Sequence, residues 1–337
     1  MLKSIKRKIY RYMNGEDNRN YFELLLYFLF ERLKFSGVRI LSLCSYRVVA
    51  NFYNSIKNRK AINYRKQNYQ SFLRVLKNDD SEAAWQRNKQ LKDDGWSLDS
   101  TQNFKYLDQV ISECEKLFDL IEQKNDVMVM PYPILDRKEI YQNKAMLNFC
   151  FSDEILYVVS NYLGGVPTLL SIDLLRSDPR DNTFEKNYLG SQNWHLDNVT
   201  RPFIRVFVYI NDVDEETGPF TIITKKLTKF IEKKTGYGSF YKSLDLSDEE
   251  VNSCVSQDEI VKALGSKGTI VFGDPCSCFH FGSRAKSKPR LVFSLSFCCG
   301  PKENFRDSLN LDMNMPFSKT DSEYVKMIKN AKYIPTR

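Results

Sequence analysis

Histidine is nearly absent from this sequence: His195 and His280 are the only two in 337 residues. Any chemistry that needs an imidazole must use one or both. Glycine (14 residues) and proline (11) are too sparse for a collagen-like or low-complexity chain, and no internal repeat is visible. Long apolar runs are also missing. Leu24-Leu25-Leu26-Tyr27-Phe28-Leu29-Phe30 is bounded by Glu23, Glu31, Arg32 and Lys34, far short of the roughly 20 residues that span a bilayer. A cleavable secretory signal is not expected either, because polar residues 16–20 separate the basic start from that run and no small-residue cleavage pattern follows. Eight cysteines without such a signal argue for free thiols in a reducing, cytoplasmic setting.

What is present reads as a globular chain: 42% hydrophobic and 13% aromatic residues suffice for a sizeable core. The net charge of +8 is unevenly placed. Residues 1–66 carry 15 Lys/Arg against 4 Asp/Glu, which leaves −3 for the rest. Leu2, Ile5, Ile9 and Tyr12 recur at helical spacing with cations between them, so the N-terminal segment is expected to be helical and to pack on the catalytic domain or a second subunit, with peripheral contact to an anionic membrane as the alternative. The basic residues lack the interleaved aromatics of a nucleic-acid module, and no nucleic-acid partner is expected. From residue 50 to about 87 the chain reads as a polar helical linker with Arg59, Lys60, Arg65 and Lys66 on a solvated face.

The chemistry gathers around Asn193-Trp194-His195-Leu196-Asp197-Asn198. In an extended segment the period of two puts His195 and Asp197 on one face. His280 would complete a 2-His-1-carboxylate set, which suits ferrous iron and leaves coordination positions open. It follows the strand-like run at 268–275, and Arg290 lies ten residues further on, with a rigid fork suited to a carboxylate. A rival reading takes Cys276, Cys278 and His280 with Cys298 or Cys299 as a zinc site, although Cys-x-Cys is not the usual two-residue spacing.

The segments occur in an order that resembles the phytanoyl-CoA dioxygenase family of iron(II)/2-oxoglutarate oxygenases. Leu91-Lys92-Asp93-Asp94-Gly95-Trp96 is similar to the family's opening strand, and Phe151 through Leu163-Gly164-Gly165 to its helix ending in Leu-Gly. Trp194-His195-Leu196-Asp197-Asn198 resembles the proximal ligand motif, Thr217-Gly218-Pro219-Phe220 the turn after the next strand, and residues 268–280 with Arg290 the distal ligand strand and the 2-oxoglutarate arginine. The resemblance covers residues 88–300. It implies His195, Asp197 and His280 as iron ligands and catalytic centre, and Arg290 as the contact to the 2-oxoglutarate C5 carboxylate. Ser283 and Trp194 would be further cofactor contacts, with Asn198 beside them. It also implies a hydroxylase that consumes O2 and 2-oxoglutarate and releases succinate and CO2. With Asp197 present, halogenase chemistry is not implied. Substrates of a small organic, lipid or glycan type are compatible with it. The alternative is a non-catalytic cupin-like module that binds a ligand or docks on a membrane or partner.

The fold class expected is α+β with a mostly β core: a double-stranded β-helix of the jelly-roll or cupin type, braced by helices, with a helical basic N-terminal extension. The organisation expected is an extension over residues 1–87, a catalytic domain over 88–300 with a lid-like insertion at 225–262, and a tail over 301–337. Within it, Val110, Ile111, Cys114, Leu117, Phe118 and Ile121 predict an amphipathic helix. Residues 204–210 predict a strand, Ser247-Asp248-Glu249-Glu250 a capping box, and residues 276–279 and 290–297 the last strands.

Overall fold

The structure is a computed structural model, and it describes residues 58–76, 82–122, 132–133, 142–179, 188, 190–197, 202–237, 245–282, 284–301 and 315–335. The basic helices expected before residue 58, the strand expected at Val127-Met128-Val129-Met130, and Asn198 and Ser283 lie outside these residues.

Nine α-helices and eleven strands are found among the described residues. In chain order they are α1 (Arg59–Gln67), α2 (Tyr69–Val75), α3 (Glu82–Asp94), β1 (Trp96–Asp99), α4 (Leu107–Glu122), β2 (Tyr132–Pro133), α5 (Lys144–Cys150), α6 (Asp153–Leu163), β3 (Thr168–Ser177), β4 (Trp194–His195), β5 (Phe203–Tyr209) and β6 (Phe220–Ile222). Then come α7 (Lys225–Thr235), β7 (Asp245–Leu246), α8 (Asp248–Asn252), β8 (Val261–Ala263), β9 (Ile270–Gly273), β10 (His280–Phe281), β11 (Arg290–Cys298) and α9 (Glu323–Lys329). The strands form two antiparallel sheets, a six-stranded one in the order β1-β9-β5-β11-β3-β2 and a five-stranded one in the order β7-β4-β10-β6-β8.

Alternation along the strands decides which residues face which layer. Ile204, Val206, Val208, Phe293, Leu295 and Phe297 point away from the five-stranded sheet and join Val110, Cys114 and Phe118 of α4 and Val158 and Val159 of α6 in the largest core cluster. The predicted amphipathic helix is therefore α4, and its apolar stripe braces the back of the six-stranded sheet. α6 ends where expected, at Gly164 in the left-handed region (φ 65°), a conformation that costs glycine little. The opposite side chains, among them Tyr209, Phe220, Ile222, Val271 and Val292, fill the space between the sheets. There the Tyr209 hydroxyl donates to the Ala263 carbonyl (2.6 Å), joining the two layers.

The described parts of 225–262 are ordered. They supply both edges of the five-stranded sheet through β7 and β8, and Ile231, Val251 and Val255 cover its outer face against Trp194, Leu196 and Phe279. The expected capping box is present, with Ser247 accepting from Glu250 N and the Glu250 carboxylate accepting from Ser247 N.

Two expectations are corrected. Residues 276–279 do not form a strand: the Asp274 carboxylate accepts from the Cys276 and Ser277 amides and folds the chain into a turn, so pairing begins only at His280. Arg65 is not solvated; it is fully buried. Its guanidinium donates to the carbonyls of Val166 (3.2 Å), Pro167 (3.0 Å), Asn330 (2.9 Å) and Ala331 (3.2 Å), and so ties α1 to the α6–β3 connection and to the end of α9. Five donors in a planar fork can satisfy several converging carbonyls, which no apolar side chain does. No helix among the described residues is long and apolar enough to cross a membrane.

Arg65→Met keeps the volume but strands these acceptors. At about 1–3 kcal/mol for each buried unsatisfied group, it should lower unfolding free energy by about 3 kcal/mol or more. Urea denaturation monitored by circular dichroism checks this; an unchanged midpoint would contradict the role assigned to Arg65.

Candidate metal centre

β4 and β10 are two residues long, yet they set the geometry of the site. They pair antiparallel with His195 directly opposite His280, so both rings project from the same face, into the space between the sheets. The ring centroids are 4.3 Å apart. Asp197, two residues beyond His195, points the same way, and its amide donates to the Pro275 carbonyl (2.9 Å), which anchors the motif to the segment leading into β10. On the motif's other side the Tyr237 hydroxyl accepts from Leu196 N (3.1 Å).

Each imidazole is oriented by its own backbone. His195 Nδ1 lies 2.7 Å from the Asn193 carbonyl and His280 Nδ1 3.0 Å from the Cys278 carbonyl, in both cases two residues upstream. A carbonyl only accepts, so Nδ1 carries the proton and the Nε2 lone pair is left free to bind a ligand. Both Nε2 atoms face Asp197 Oδ1, at 3.6 Å from His195 and 3.7 Å from His280. The three donor atoms lie within 4.8 Å of one another. Donors about 2.1 Å from one ion and at right angles are roughly 3 Å apart, so small side-chain shifts suffice to close on a metal. With both rings neutral the set carries one negative charge, which suits a divalent cation. Among the described residues this is the group able to hold a metal, and it contains no cysteine. Cys276 and Cys278 are buried in other clusters, and the Cys278 thiol donates to the Asp94 carbonyl.

Charge is managed around the cluster by two residues that motif reading missed. Arg205 on β5 reaches across from the six-stranded sheet and places Nη2 3.2 Å from Asp197 Oδ2, the oxygen turned away from the imidazoles. Burial raises the Asp197 carboxyl, but Arg205 and then the imidazoles outweigh it and hold the group well below the ordinary carboxylate range. Asp245 on β7 lies opposite His195 in register, and its charge supports the His195 ring. Burial lowers His195, but the Asp197 carboxylate, the Asn193 carbonyl and Asp245 together outweigh it and raise the ring above its ordinary value, whereas burial and the neighbouring ring push His280 down to about 3. The sequence signal for Arg205 was a lone cation on the inward face of an otherwise apolar strand.

Arg290 opens β11 on the same inner face and is buried. Its Nη1 donates to the Gly218 carbonyl (2.9 Å), and a Cβ at Gly282 would come within 3.1 Å of Nη2, so glycine at 282 is what lets the fork lie against the backbone. An aromatic group lies beside the imidazoles, in which Phe220 stands 5.4 Å from His280 and 5.1 Å from Phe207, centroid to centroid. Trp194 does not join this group. It follows the opposite phase of β4, is buried in the outer cluster and meets Phe281 edge-on at 4.6 Å. That outer face also carries a cavity of about 350 Å³ lined by Trp194, Phe281 and Arg284, where Arg284 stacks on Phe281 and Tyr188 and pairs with both oxygens of Asp248.

No family model and no curated protein matches this chain. Among solved structures it is similar to the non-heme alpha-ketoglutarate dependent epimerase SnoN from nogalamycin biosynthesis (14% identity over 71% of this chain and 91% of that one, TM-score 0.43). It is also similar to HygX from Streptomyces hygroscopicus, solved with nickel and 2-oxoglutarate (13%, 63% and 86%, TM-score 0.41). A third such structure is the nickel complex of the non-heme monooxygenase ThoJ (14%, 64% and 78%, TM-score 0.40).

Anaerobic calorimetric titration with iron(II) or cobalt(II) should give one site. Replacing either His195 or His280 with Ala should weaken it beyond measurement, and Arg205→Met should weaken it by about 10-fold, the scale on which outer-shell partners act. Wild-type affinity in His280→Ala would show that the cluster is not a metal centre.

Proposed function

We propose that this chain is an iron(II)- and 2-oxoglutarate-dependent oxygenase on a double-stranded β-helix, one that hydroxylates a C–H bond of a small organic, lipid or glycan-type substrate and releases succinate and CO2. The observation that carries this reading is the convergence of His195 Nε2, Asp197 Oδ1 and His280 Nε2 on one point, a donor set of two imidazoles and one carboxylate that suits ferrous iron with positions left open. When bound, the iron would supply the oxygen chemistry that amino-acid side chains cannot.

The protein's part is to hold and orient. The Asn193 and Cys278 carbonyls fix both imidazoles in the tautomer that presents Nε2. Arg205 keeps Asp197 ionised and directs its other oxygen toward the cluster. Arg290, set against the Gly218 carbonyl on the inner face, is the cation that meets the far carboxylate of the keto-acid, a fork-to-carboxylate contact that lysine does not reproduce. Phe207, Phe220 and Tyr209 line the intervening space and exclude water from it. Ser283 serves as a second contact to the keto-acid, while Trp194 contributes by packing behind β4. Residues 88–300 form the catalytic domain.

Anaerobic addition of iron(II) and then 2-oxoglutarate to the purified protein should produce a visible charge-transfer band, and aerobic incubation should yield succinate. Arg290→Leu should raise the 2-oxoglutarate concentration needed for half-maximal band intensity by about 10-fold or more, the scale of a lost charge-assisted hydrogen bond, without weakening iron(II) binding. If the band is absent in the wild type while iron(II) binds, the cluster is a metal site of another kind.

A further inference from the structure

The inner face of the six-stranded sheet changes character along its length, and register shows how. Beside Arg290 the inward row is apolar, with Val292 opposite Tyr209. One step further along β11, Ser294 lies between Asp173 on β3 and Phe207 on β5; another step on, Ser296 lies between Ser171 and Arg205. A lane of serines, a carboxylate and a guanidinium thus crosses three strands, about 10 Å from β3 to β5 at ordinary strand spacing. Its β5 end touches the metal cluster through the contact of Arg205 with Asp197 (3.2 Å). Solvent reaches its two ends, where Ser171, Asp173 and Arg205 are half-buried, while Ser294 and Ser296 between them are buried.

Two groups in it lack what such groups normally have. The Asp173 carboxylate accepts only from the Ser171 hydroxyl (2.8 Å), and no cation among the described residues pairs with it. Ser294 is fully buried, and its hydroxyl has no hydrogen-bond partner among the described residues. A half-buried carboxylate beside a buried, unsatisfied hydroxyl is costly to cover with hydrocarbon, because every hydration bond lost goes unreplaced. Hydrogen-bond donors on a ligand replace them.

We propose that this lane is the substrate subsite and that it takes a polyhydroxylated or amine-bearing molecule, with Asp173 accepting hydrogen bonds from the substrate's hydroxyl or ammonium group, in preference to an acyl chain. The proposal rests on the oxygenase reading of the cluster and narrows it: of the small organic, lipid and glycan-type substrates, it selects those dense in donors. Asp173 acts here as a specificity residue, remote from the metal and in contact with the part of the substrate that does not react.

The test uses wild-type protein loaded anaerobically with iron(II) and 2-oxoglutarate and titrated with three probes: methyl glucosaminide, methyl glucoside and dodecanoate. Calorimetry gives affinity, and the visible band gives proximity to the metal. The amino sugar and the neutral glycoside should bind at millimolar concentration and perturb the band, with dodecanoate weaker than both. Asp173→Asn, which keeps the shape and is checked for folding by its melting temperature, should weaken the amino sugar by about 10-fold or more, and Ser171→Ala by less. Tighter binding of dodecanoate, no binding of either polar probe, or equal affinity in Asp173→Asn overturns the subsite. Failure of the band to form in the wild type removes the oxygenase reading, whereas a band that forms with the probe order reversed removes the subsite alone.

Discussion

One backbone pairing, His195 against His280, carries the functional architecture of this molecule. The two residues are 85 positions apart in the chain, and neither β4 nor β10 is long enough to be stable alone. Their register is imposed from outside: Asp197 N is held by the Pro275 carbonyl, Gly282 N by the Ser191 carbonyl, and Ile223 N by the Phe279 carbonyl. A slip of either strand by one residue would turn its imidazole to the outer face and bring Trp194 or Phe281 inward. The aromatic packing of Trp194 with Phe281 and of Phe279 with Tyr237 on that outer face opposes the slip, because those rings would lose their buried environment. The helices of residues 225–252 therefore serve the candidate metal site by covering the far side of the sheet that bears it.

A second theme is the handling of buried cations. Arg65, Arg205, Arg284 and Arg290 each occupy a place where an unpaired charge would be costly, and each is met by groups of matched geometry: backbone carbonyls for Arg65 and Arg290, a single carboxylate oxygen for Arg205, both oxygens of Asp248 for Arg284. Guanidinium serves here because it stays charged and offers several directed donors at once. Two of these four face the space between the sheets, Arg205 beside Asp197 and Arg290 beside Gly218, so that space carries a cation at two separate points. Asp197 needs one of them to remain ionised at its depth, while Arg290 is set against the Gly218 carbonyl.

Much of this was legible in the sequence because it depends on local pattern. The His-x-Asp spacing, the apolar stripe of residues 110–121, the alternation of 204–210, the Leu-Gly helix end and the capping box at 247–250 are each decided within a few residues, and the structure shows each of them. Arg205, Asp245 and Arg65 were not legible. Their roles are set by which strand or loop lies opposite, and that is fixed by contacts across the whole fold. Trp194 was placed beside the metal by adjacency, although alternation along a strand sends neighbours to opposite faces. The expected strand at residues 276–279 failed because Asp274 caps a turn there, a side-chain bond that competes with sheet pairing.

X-ray absorption spectroscopy of the anaerobic protein loaded with one equivalent of iron(II) tests the central claim most directly. Two imidazoles and a carboxylate from this arrangement predict a shell of nitrogen and oxygen at roughly 2.0–2.2 Å, with the outer-shell scattering of two rings and no sulfur. A sulfur shell near 2.3 Å, or scattering from fewer than two imidazoles, would show that the metal sits elsewhere and that His195, Asp197 and His280 do not form its site.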